Sequence, residues 1–331
     1  MRLTNQKFFV ASAFMVVLLF GCGKTSENNS ITIKWGETLA ESHPSAQMAI
    51  RAGKEITERT EGRVKVEVYT GGQLGASKEM VEAMQINAQE MVTEGVAQFQ
   101  MLPSLEILEA PYIWKSPETF DKVVNSDIIE EFNQKLIESG NIRILGTTYY
   151  GYRHLTTTDK PVYSLKDVQN LKIRVPEVQM YIAMAEAWGS KPTPMNFNEL
   201  YLALKQNVVN GQENPLPTIN SGKFYEVQKY LILTGHIITA RIVTINETVW
   251  QKISEQDRQI MLEVIKKNID IHNNEIKALE NSLIGEFEKA GVTVITPNVE
   301  EFRNVVLNSV PAKLESRWGK GLFERILQAQ E

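Results

Sequence analysis

The 331-residue sequence is poor in the residues that catalysis and metal binding most often use. It contains one cysteine, Cys22, and four histidines at positions 43, 154, 236 and 272. A single cysteine cannot form a disulfide within the chain, and the histidines lack the close spacing of a metal site. HExxH, paired CxxC, GxSxG and GxGxxG motifs are all missing. The sequence therefore predicts no cofactor and no bound metal, and it argues against an enzyme.

The sequence also lacks an excess of positive charge and an apolar run long enough to span a membrane. The net charge of −5 argues against nucleic acid or an anionic membrane surface as a partner. The apolar run at 8–20 covers about 13 residues, whereas a spanning helix needs about 20. Such a run after Arg2 and Lys7 is typical of a secretory signal peptide.

Cys22 directly follows Leu19-Phe-Gly, a pattern that resembles a bacterial lipobox. It predicts a lipoprotein signal peptide at 1–21, lipidation of Cys22 and a flexible tether at 22–30. Phe20 is bulkier than the residue usual at its position. The alternative is an ordinary secretory signal with an incidental cysteine. A lipid anchor would hold the protein at a membrane, outside the cytoplasm, and would be its only contact with that membrane.

Alternating and helical patterns follow one another along residues 31–331, which predicts an α/β fold. Strands are predicted at 31–35, 64–69, 90–93, 142–147, 171–175, 231–233, 242–246 and 292–295. Helices are predicted at 43–60, 77–86, 176–189, 198–206, 223–230, 254–290, 299–309 and 310–331, and one or two helices at 119–139. At about 1.5 Å per residue, the helix at 254–290 would reach roughly 50 Å, which suggests a brace across two domains.

Two polar clusters lie near predicted strand ends between residues 171 and 216. Arg174 closes one strand, and Pro176 suits the first turn of the helix that follows. The run Gln-Glu-Asn at 212–214 follows the next helix. Open α/β sheets bind ligands at strand ends, and arginine meets a carboxylate with two hydrogen bonds. The clusters therefore predict a carboxylate clamp with a hydrogen-bonding rim, with a surface salt bridge as the alternative for Arg174.

Two further positions carry polar side chains whose role the pattern leaves open. Glu94 follows the third predicted strand and is either solvated or directed into a cleft. His154 follows Arg153 and an aromatic cluster, and it is either a general base or, more simply, a polar strand-end residue. The glycine-rich loop at 71–75 lacks the Gly-Lys-Ser/Thr ending of a phosphate loop, so a strand-to-helix turn is predicted there.

At these residues the sequence resembles the solute-binding proteins of TRAP transporters, the tripartite ATP-independent systems for organic acids. The resemblance covers essentially the whole mature chain. It is carried by Leu-Lys-Ile-Arg-Val-Pro at 171–176, Pro-Thr-Pro-Met-Asn-Phe at 192–197, Glu-Leu-Tyr-Leu-Ala-Leu at 199–204 and Asn-Gly-Gln-Glu-Asn-Pro at 210–215.

The resemblance implies roles for several residues of one binding cleft. Arg174 would form the salt bridge to the ligand carboxylate, and Arg153 would be the second arginine that sialic-acid-binding members use. Asn214 would hydrogen-bond the carboxylate region, with Glu213 beside it. Phe197 would line the cleft.

The other side of the implied cleft holds the residues that would discriminate between ligands. Glu94 would contact ligand hydroxyl groups. Thr38 stands where sialic-acid binders have an asparagine, which argues against sialic acid. Pro215-Leu216 argues against a C4-dicarboxylate.

The resemblance also implies a two-lobed periplasmic-binding-protein fold (type II-like) with the long helix spanning both lobes. Lobe I would comprise 31–150 with about 240–279, and lobe II 151–239 with about 280–331. The chain would cross between the lobes near Tyr150 and Ala240.

The implied function is extracytoplasmic capture of a carboxylate-bearing organic acid and its delivery to the membrane subunits of a TRAP permease. A hexuronate or another sugar acid is the favoured ligand. Sialic acid and a C4-dicarboxylate remain alternatives. A lipoprotein that presents the same bound acid to a receptor, or a secreted enzyme acting on a sugar acid, are alternatives of other classes.

Overall fold

A computed structural model describes residues 30–331, and its strands form one mixed sheet. The strands are β1 (Ile31–Glu37), β2 (Val64–Tyr69), β3 (Met91–Gly95), β4 (Ile142–Thr157), β5 (Lys172–Val175), β6 (Lys191–Pro194), β7 (Gly211–Pro215), β8 (Tyr230–Asn246) and β9 (Thr293–Ile295). Their order is β2-β1-β3-β8-β4-β7-β5-β6, with β9 beside β8. β1 pairs in parallel with β2 and β3, and β5 with β6 and β7. The antiparallel strands β4 and β8 join these two parallel groups.

Helices flank both parallel groups. They are α1 (Pro44–Arg59), α2 (Ser77–Gln85), α3 (Pro117–Val124), α4 (Asp127–Gly140), α5 (Leu165–Val168), α6 (Gln179–Ala187), α7 (Leu200–Lys205), α8 (Leu216–Ser221), α9 (Glu247–Lys252), α10 (Glu255–Lys289), α11 (Val299–Leu307), α12 (Val310–Trp318) and α13 (Leu322–Ala329). Short 3-10 helices lie at Val96–Gln98, Pro103–Glu109, Phe197–Glu199 and Phe224–Glu226. Within residues 30–331, no helix combines the length and the apolar character needed to cross a membrane.

The 35-residue helix α10 packs along both halves of the molecule. It begins at the N-cap Ser254, whose Oγ accepts a hydrogen bond of 3.1 Å from the backbone N–H of Asp257. Its first half packs Met261 and Val264 into a hydrophobic cluster with β1 and α1, and its second half packs Leu283 and Phe287 into a separate cluster with α7 and α8. The predicted α/β, two-lobed architecture with a long helix is therefore confirmed. The residue bounds of the lobes remain a prediction.

The two central strands are much longer than the sequence pattern predicts. The aromatic segment that follows residue 147 continues β4 to Thr157, and the predicted strands at 231–233 and 242–246 are parts of β8. Both strands are buried along most of their length, so the alternation that marks a half-buried strand is lost. The β4–β8 register shifts between Tyr149 and Gly151, beside Ala240. Gly151 has a φ of +109°, a conformation that side-chain-bearing residues rarely adopt.

Three local predictions are wrong. Helix α6 begins at Gln179, so Pro176 precedes the helix and does not lie in its first turn. No strand was predicted at 211–215, but the polar run at 212–214 lies within β7, close to its end at Pro215, with backbone partners from β4 and β5. Only a 3-10 turn forms in the predicted helix at 223–230: Lys223 precedes it with a left-handed φ of +54°, and Val227 ends it with a φ of −121°.

The predicted C-terminal helix at 310–331 is also divided. Gly319 and Gly321 have φ values of +112° and +75°, which a helix cannot contain, and they separate α12 from α13. Arg317 of α12 pairs with Glu106 of the 3-10 helix Pro103–Glu109, and Lys313 of α12 pairs with Glu186 of α6 at 2.7 Å. Helix α12 therefore links the 3-10 helix Pro103–Glu109 to α6.

Candidate functional site

A cleft of about 670 Å³ lies where the two parallel groups of strands meet β4 and β8. This volume includes the space at the mouth of the cleft that is open to solvent. The cleft is lined by side chains from β3, β4, β5, β7 and β8 and from adjoining segments: Thr38, Ser77, Glu94, Gln98, Glu109, Tyr150, Arg153, Arg174, Tyr181, Phe197, Asn214, Thr239 and Arg241, among others.

Six of the seven binding residues predicted from the sequence line this cleft. They are Thr38, Glu94, Arg153, Arg174, Phe197 and Asn214. The seventh, Glu213, is fully buried behind Arg153. Cys22, the signal peptide and all but the last residue of the tether lie outside the described residues. The six cleft-lining residues therefore lie close together, and the role of each remains a prediction.

Arg174 carries a positive charge that no carboxylate of residues 30–331 contacts in an ion pair, although Glu213 and Glu177 attract it from a distance. Its side chain comes from β5 and is buried, and its Nε and Nη2 donate hydrogen bonds of 3.0 and 2.7 Å to the carbonyl oxygen of Met195. Every other arginine in that stretch forms an ion pair with a glutamate or aspartate. Burial, together with the charge of Arg153, lowers the pKa of Arg174 to about 10. The guanidinium is still charged at neutral pH.

Arg153, in contrast, is already neutralised within the protein. Its Nε and Nη2 donate to the Glu213 carboxylate at 2.5 and 2.9 Å, and Nη2 also donates to Asn214 Oδ1 at 3.1 Å. His236 Nε2 lies 3.0 Å from the same carboxylate, and the Tyr181 ring lies 5.0 Å from the guanidinium. Although burial disfavours both charges, the pair holds the pKa of Arg153 above and that of Glu213 below its usual value.

A third arginine, Arg241 of β8, was not predicted from the sequence. Its Nη2 donates to Glu37 Oε1 at 2.5 Å and to the Thr93 carbonyl, and it lies 3.8 Å from Glu94 Oε2. Thr38 Oγ1 donates to the other Glu94 oxygen. The available signal was the position of Arg241, a lone charge in the otherwise uncharged run at 237–245. A charge in such a buried strand needs a partner or a function.

Glu109 was also missed. It ends the 3-10 helix Pro103–Glu109, where no regular pattern marks it. Its Oε2 accepts a hydrogen bond of 3.0 Å from the Tyr181 hydroxyl group. Burial raises the pKa of Glu109 to about 7, although the nearby Arg153 opposes this rise.

His154 does not line the cleft; its Nδ1 accepts a hydrogen bond of 3.1 Å from the Gly235 N–H, and burial lowers its pKa to about 3. Across residues 30–331, no group of three or more histidine, cysteine, aspartate or glutamate side chains is placed to hold a metal ion. The side chains that line the cleft offer hydrogen bonding and charge pairing to a ligand.

Comparison with known proteins assigns the chain to a family. Residues 35–315 match the model of the bacterial extracellular solute-binding proteins, family 7 (DctP). The chain is 32% identical over 292 residues to the sialic acid-binding periplasmic protein SiaP of Vibrio cholerae, which covers 88% of this chain and 91% of that protein. It is 34% identical over 233 residues to a solute-binding protein of Roseobacter denitrificans, covering 70% of this chain and 71% of the other.

Solved structures match over almost the whole chain. A TRAP periplasmic solute-binding protein from a Polaromonas species, bound to D-erythronate, has a TM-score of 0.85 at 29% identity, covering 91% of this chain and 98% of that one. The structure of the Roseobacter denitrificans protein with bound L-galactonate has a TM-score of 0.84 at 28% identity and the same coverage.

Proposed function

Because the chain belongs to family 7 of the bacterial extracellular solute-binding proteins and is a TRAP-type solute-binding protein, we propose that it captures a sugar acid outside the cytoplasm. The ligand would carry one carboxylate and several hydroxyl groups, as a hexuronate or a related acid does. The protein would deliver this acid to the membrane subunits of a TRAP permease. Proteins of this family bind substrates for transport and do not form an enzyme family.

The unbalanced charge of Arg174 is the observation that carries the proposal. A buried guanidinium is costly unless an anion pairs with it, and a carboxylate matches its planar fork. Met195 occupies only the Nε and Nη2 side of the group. A ligand carboxylate would therefore complete the coordination of Arg174 from the cleft.

The charges around Arg174 favour a ligand with a single carboxylate. Arg153 and Arg241 are engaged by Glu213 and Glu37, so neither offers a free charge to a second carboxylate. Glu94, which also lines the cleft, would repel one. This arrangement disfavours C4-dicarboxylates.

The similar proteins support an acid that carries hydroxyl groups. The Vibrio cholerae relative is named for sialic acid, and the two solved structures hold D-erythronate and L-galactonate. All three compounds combine one carboxylate with several hydroxyl groups. Because the family resemblance places Thr38 where sialic-acid binders have an asparagine, we favour a hexuronate or another sugar acid over sialic acid.

Thermal denaturation with a panel of compounds tests the proposal. The panel comprises D-galacturonate, L-galactonate, D-erythronate, sialic acid, succinate and neutral galactose. We expect one or more sugar acids to raise the melting temperature, because a ligand that binds only the folded state stabilises it. Galactose and succinate should have no effect. Stabilisation by galactose alone, or by succinate in preference to every sugar acid, would contradict the proposal.

Anchoring by Cys22 is a second part of the proposal, supported by the lipobox-like run Leu-Phe-Gly-Cys at 19–22. Cells grown with an alkyne-tagged fatty acid should label the wild-type protein, and Cys22→Ser should abolish that label and release the protein from membranes. An equally labelled Cys22→Ser variant would contradict anchoring at this residue.

Uptake of the identified acid into vesicles that contain the permease would test delivery of the acid to the membrane subunits.

A further inference from the structure

Glu109 contains the only buried carboxylate oxygen in residues 30–331 that has no hydrogen-bond partner. The residue is 2% exposed. Its Oε2 is bound by the Tyr181 hydroxyl at 3.0 Å, whereas its Oε1 accepts no hydrogen bond from the described chain. Buried polar groups in folded proteins are almost always paired, so an unpaired oxygen needs a partner that the protein itself does not supply.

Glu109 lies in the same cleft as Arg174. Its Oε1 faces the backbone of β3, since a Cβ added to Gly95 would lie 3.4 Å from that oxygen. Gly95 directly follows Glu94, and both residues line the cleft. Glu109 thus extends the acidic part of the lining that Glu94 begins.

A second side chain of the cleft is unpaired in the same way. The hydroxyl group of Thr239 on β8 is buried and has no hydrogen-bond partner among the described residues. A hydroxyl group of a ligand can donate to a carboxyl oxygen and also accept from a threonine, whereas a methyl group can do neither. The two unpaired groups are therefore complementary to hydroxyl groups of a ligand.

We propose that Glu109 is a ligand-binding residue whose free Oε1 forms a hydrogen bond with a hydroxyl group of the captured acid. This inference rests on the proposed function and deepens it. Arg174 would hold the carboxylate, and Glu109 would select acids that carry hydroxyl groups elsewhere in the molecule.

The groups that face Glu109 make this role compatible with an anionic ligand. Tyr181 of α6 donates to it, Arg153 of β4 and Arg241 of β8 attract it, and Glu213 of β7 repels it. Burial outweighs these attractions and raises the pKa of Glu109 to about 7. The carboxyl group is therefore partly protonated at neutral pH, where it adds little repulsion toward a bound anion.

Calorimetric titration of the purified full chain with L-galactonate and with D-erythronate tests the inference. We expect Glu109→Met, which removes both oxygens at similar volume, to bind the acids about tenfold more weakly than the wild type. Glu106→Gln is the matched control. Glu106 is buried in the same 3-10 helix, but it pairs with Arg317 and does not line the cleft, so its substitution should leave the affinity unchanged.

The pH dependence of binding provides a readout that a purely structural role would not change. Wild-type affinity should fall between about pH 6 and about pH 8 as Glu109 ionises, whereas Glu109→Gln, which mimics the protonated acid, should show a flatter profile. This comparison also applies if Glu109→Met fails to fold.

The outcomes separate the inference from the proposed function. Unchanged affinity of a folded Glu109→Met variant, or parallel pH profiles for the wild type and Glu109→Gln, would overturn the role of Glu109 and leave the proposed function intact. If the wild type binds no hydroxylated acid at all, both are overturned.

Discussion

Arg153 and Glu213 form a buried, two-pronged ion pair, with Nε–Oε2 and Nη2–Oε1 distances of 2.5 and 2.9 Å. Arg174 lines the same cleft and has no carboxylate partner in residues 30–331. The same residue type therefore serves two purposes at one site. One arginine stabilises the frame of the cleft, and the other leaves its charge for a ligand.

Arg153→Met should strongly destabilise the protein, because it leaves the buried Glu213 carboxylate without its main partner. The expected loss is about 3–5 kcal/mol in the free energy of unfolding, measured by urea denaturation. Adding Glu213→Gln to this variant should recover part of the loss, since the unpaired charge is removed. Equal stability of the single and double variants would show that the ion pair does not act as a unit.

Arg174→Met should have the opposite profile, with lost binding and retained stability. A ligand carboxylate deprived of its arginine costs about 2–5 kcal/mol of binding free energy, measured by calorimetry. The free energy of unfolding without ligand should stay the same or rise, because an unpaired buried charge disappears. If Arg174→Met binds the acid as tightly as the wild type does, Arg174 does not bind the ligand carboxylate.

The buried His272 should make the fold sensitive to acid. Burial, with Arg241 and Arg51 nearby, lowers the pKa of His272 to about 3 from its ordinary 6.5. The unfolded chain therefore takes up this proton first, and stability contributed by His272 is present above pH 6.5 and falls as the pH drops from 6.5 towards 3. The loss is about 1.4 kcal/mol for each pH unit.

His272→Gln removes this titration. The wild type should therefore lose about 1.4 kcal/mol more unfolding free energy than this variant for each pH unit below 6.5, so the difference between the two narrows. Ile276→Val lies in the same helix and is equally buried, but it does not titrate, so its difference should stay constant. Urea denaturation at pH values above and below 6.5 measures the stability difference from the wild type for both variants. A constant difference for His272→Gln would contradict the assignment of a neutral buried histidine.

Two glycine substitutions should have opposite signs. At Gly151, φ is +109° and an added Cβ would lie 3.0 Å from Glu280 Oε1, so Gly151→Ala should destabilise the protein by about 1–3 kcal/mol. At Gly285, within α10, an added Cβ meets nothing within 4 Å. Gly285→Ala should therefore stabilise by about 0.5–1 kcal/mol. Thermal denaturation distinguishes the two substitutions, and stabilisation by Gly151→Ala would contradict a backbone at Gly151 that disfavours side chains.

Local patterns predicted the elements that have one buried face or a clear cap. The strand at 64–69 was predicted with its observed bounds, and Ser254 marked the start of α10. The pattern failed for β4 and β8, because strands buried on both faces do not alternate. It also failed at Pro176, where the chain remains extended before α6.

The site was predictable only in part. Arg174 was found because it stands at a strand end within a recognisable segment. The pairing of Arg153 with Glu213 joins residues 60 positions apart, and that of Arg241 with Glu37 joins residues 204 positions apart. No local pattern encodes such contacts. Glu109 was not predicted, because its position in the cleft depends on tertiary packing alone.

In the proposed function, the missing counter-ion of Arg174 has a consequence for the protein when no ligand is bound. If the lobes closed over an empty cleft, the guanidinium would lose its contact with water and gain no anion, so closing without cargo would cost free energy. We therefore expect the unloaded protein to rest open and hydrated. A permease that accepts only the closed shape would then seldom encounter an unloaded carrier.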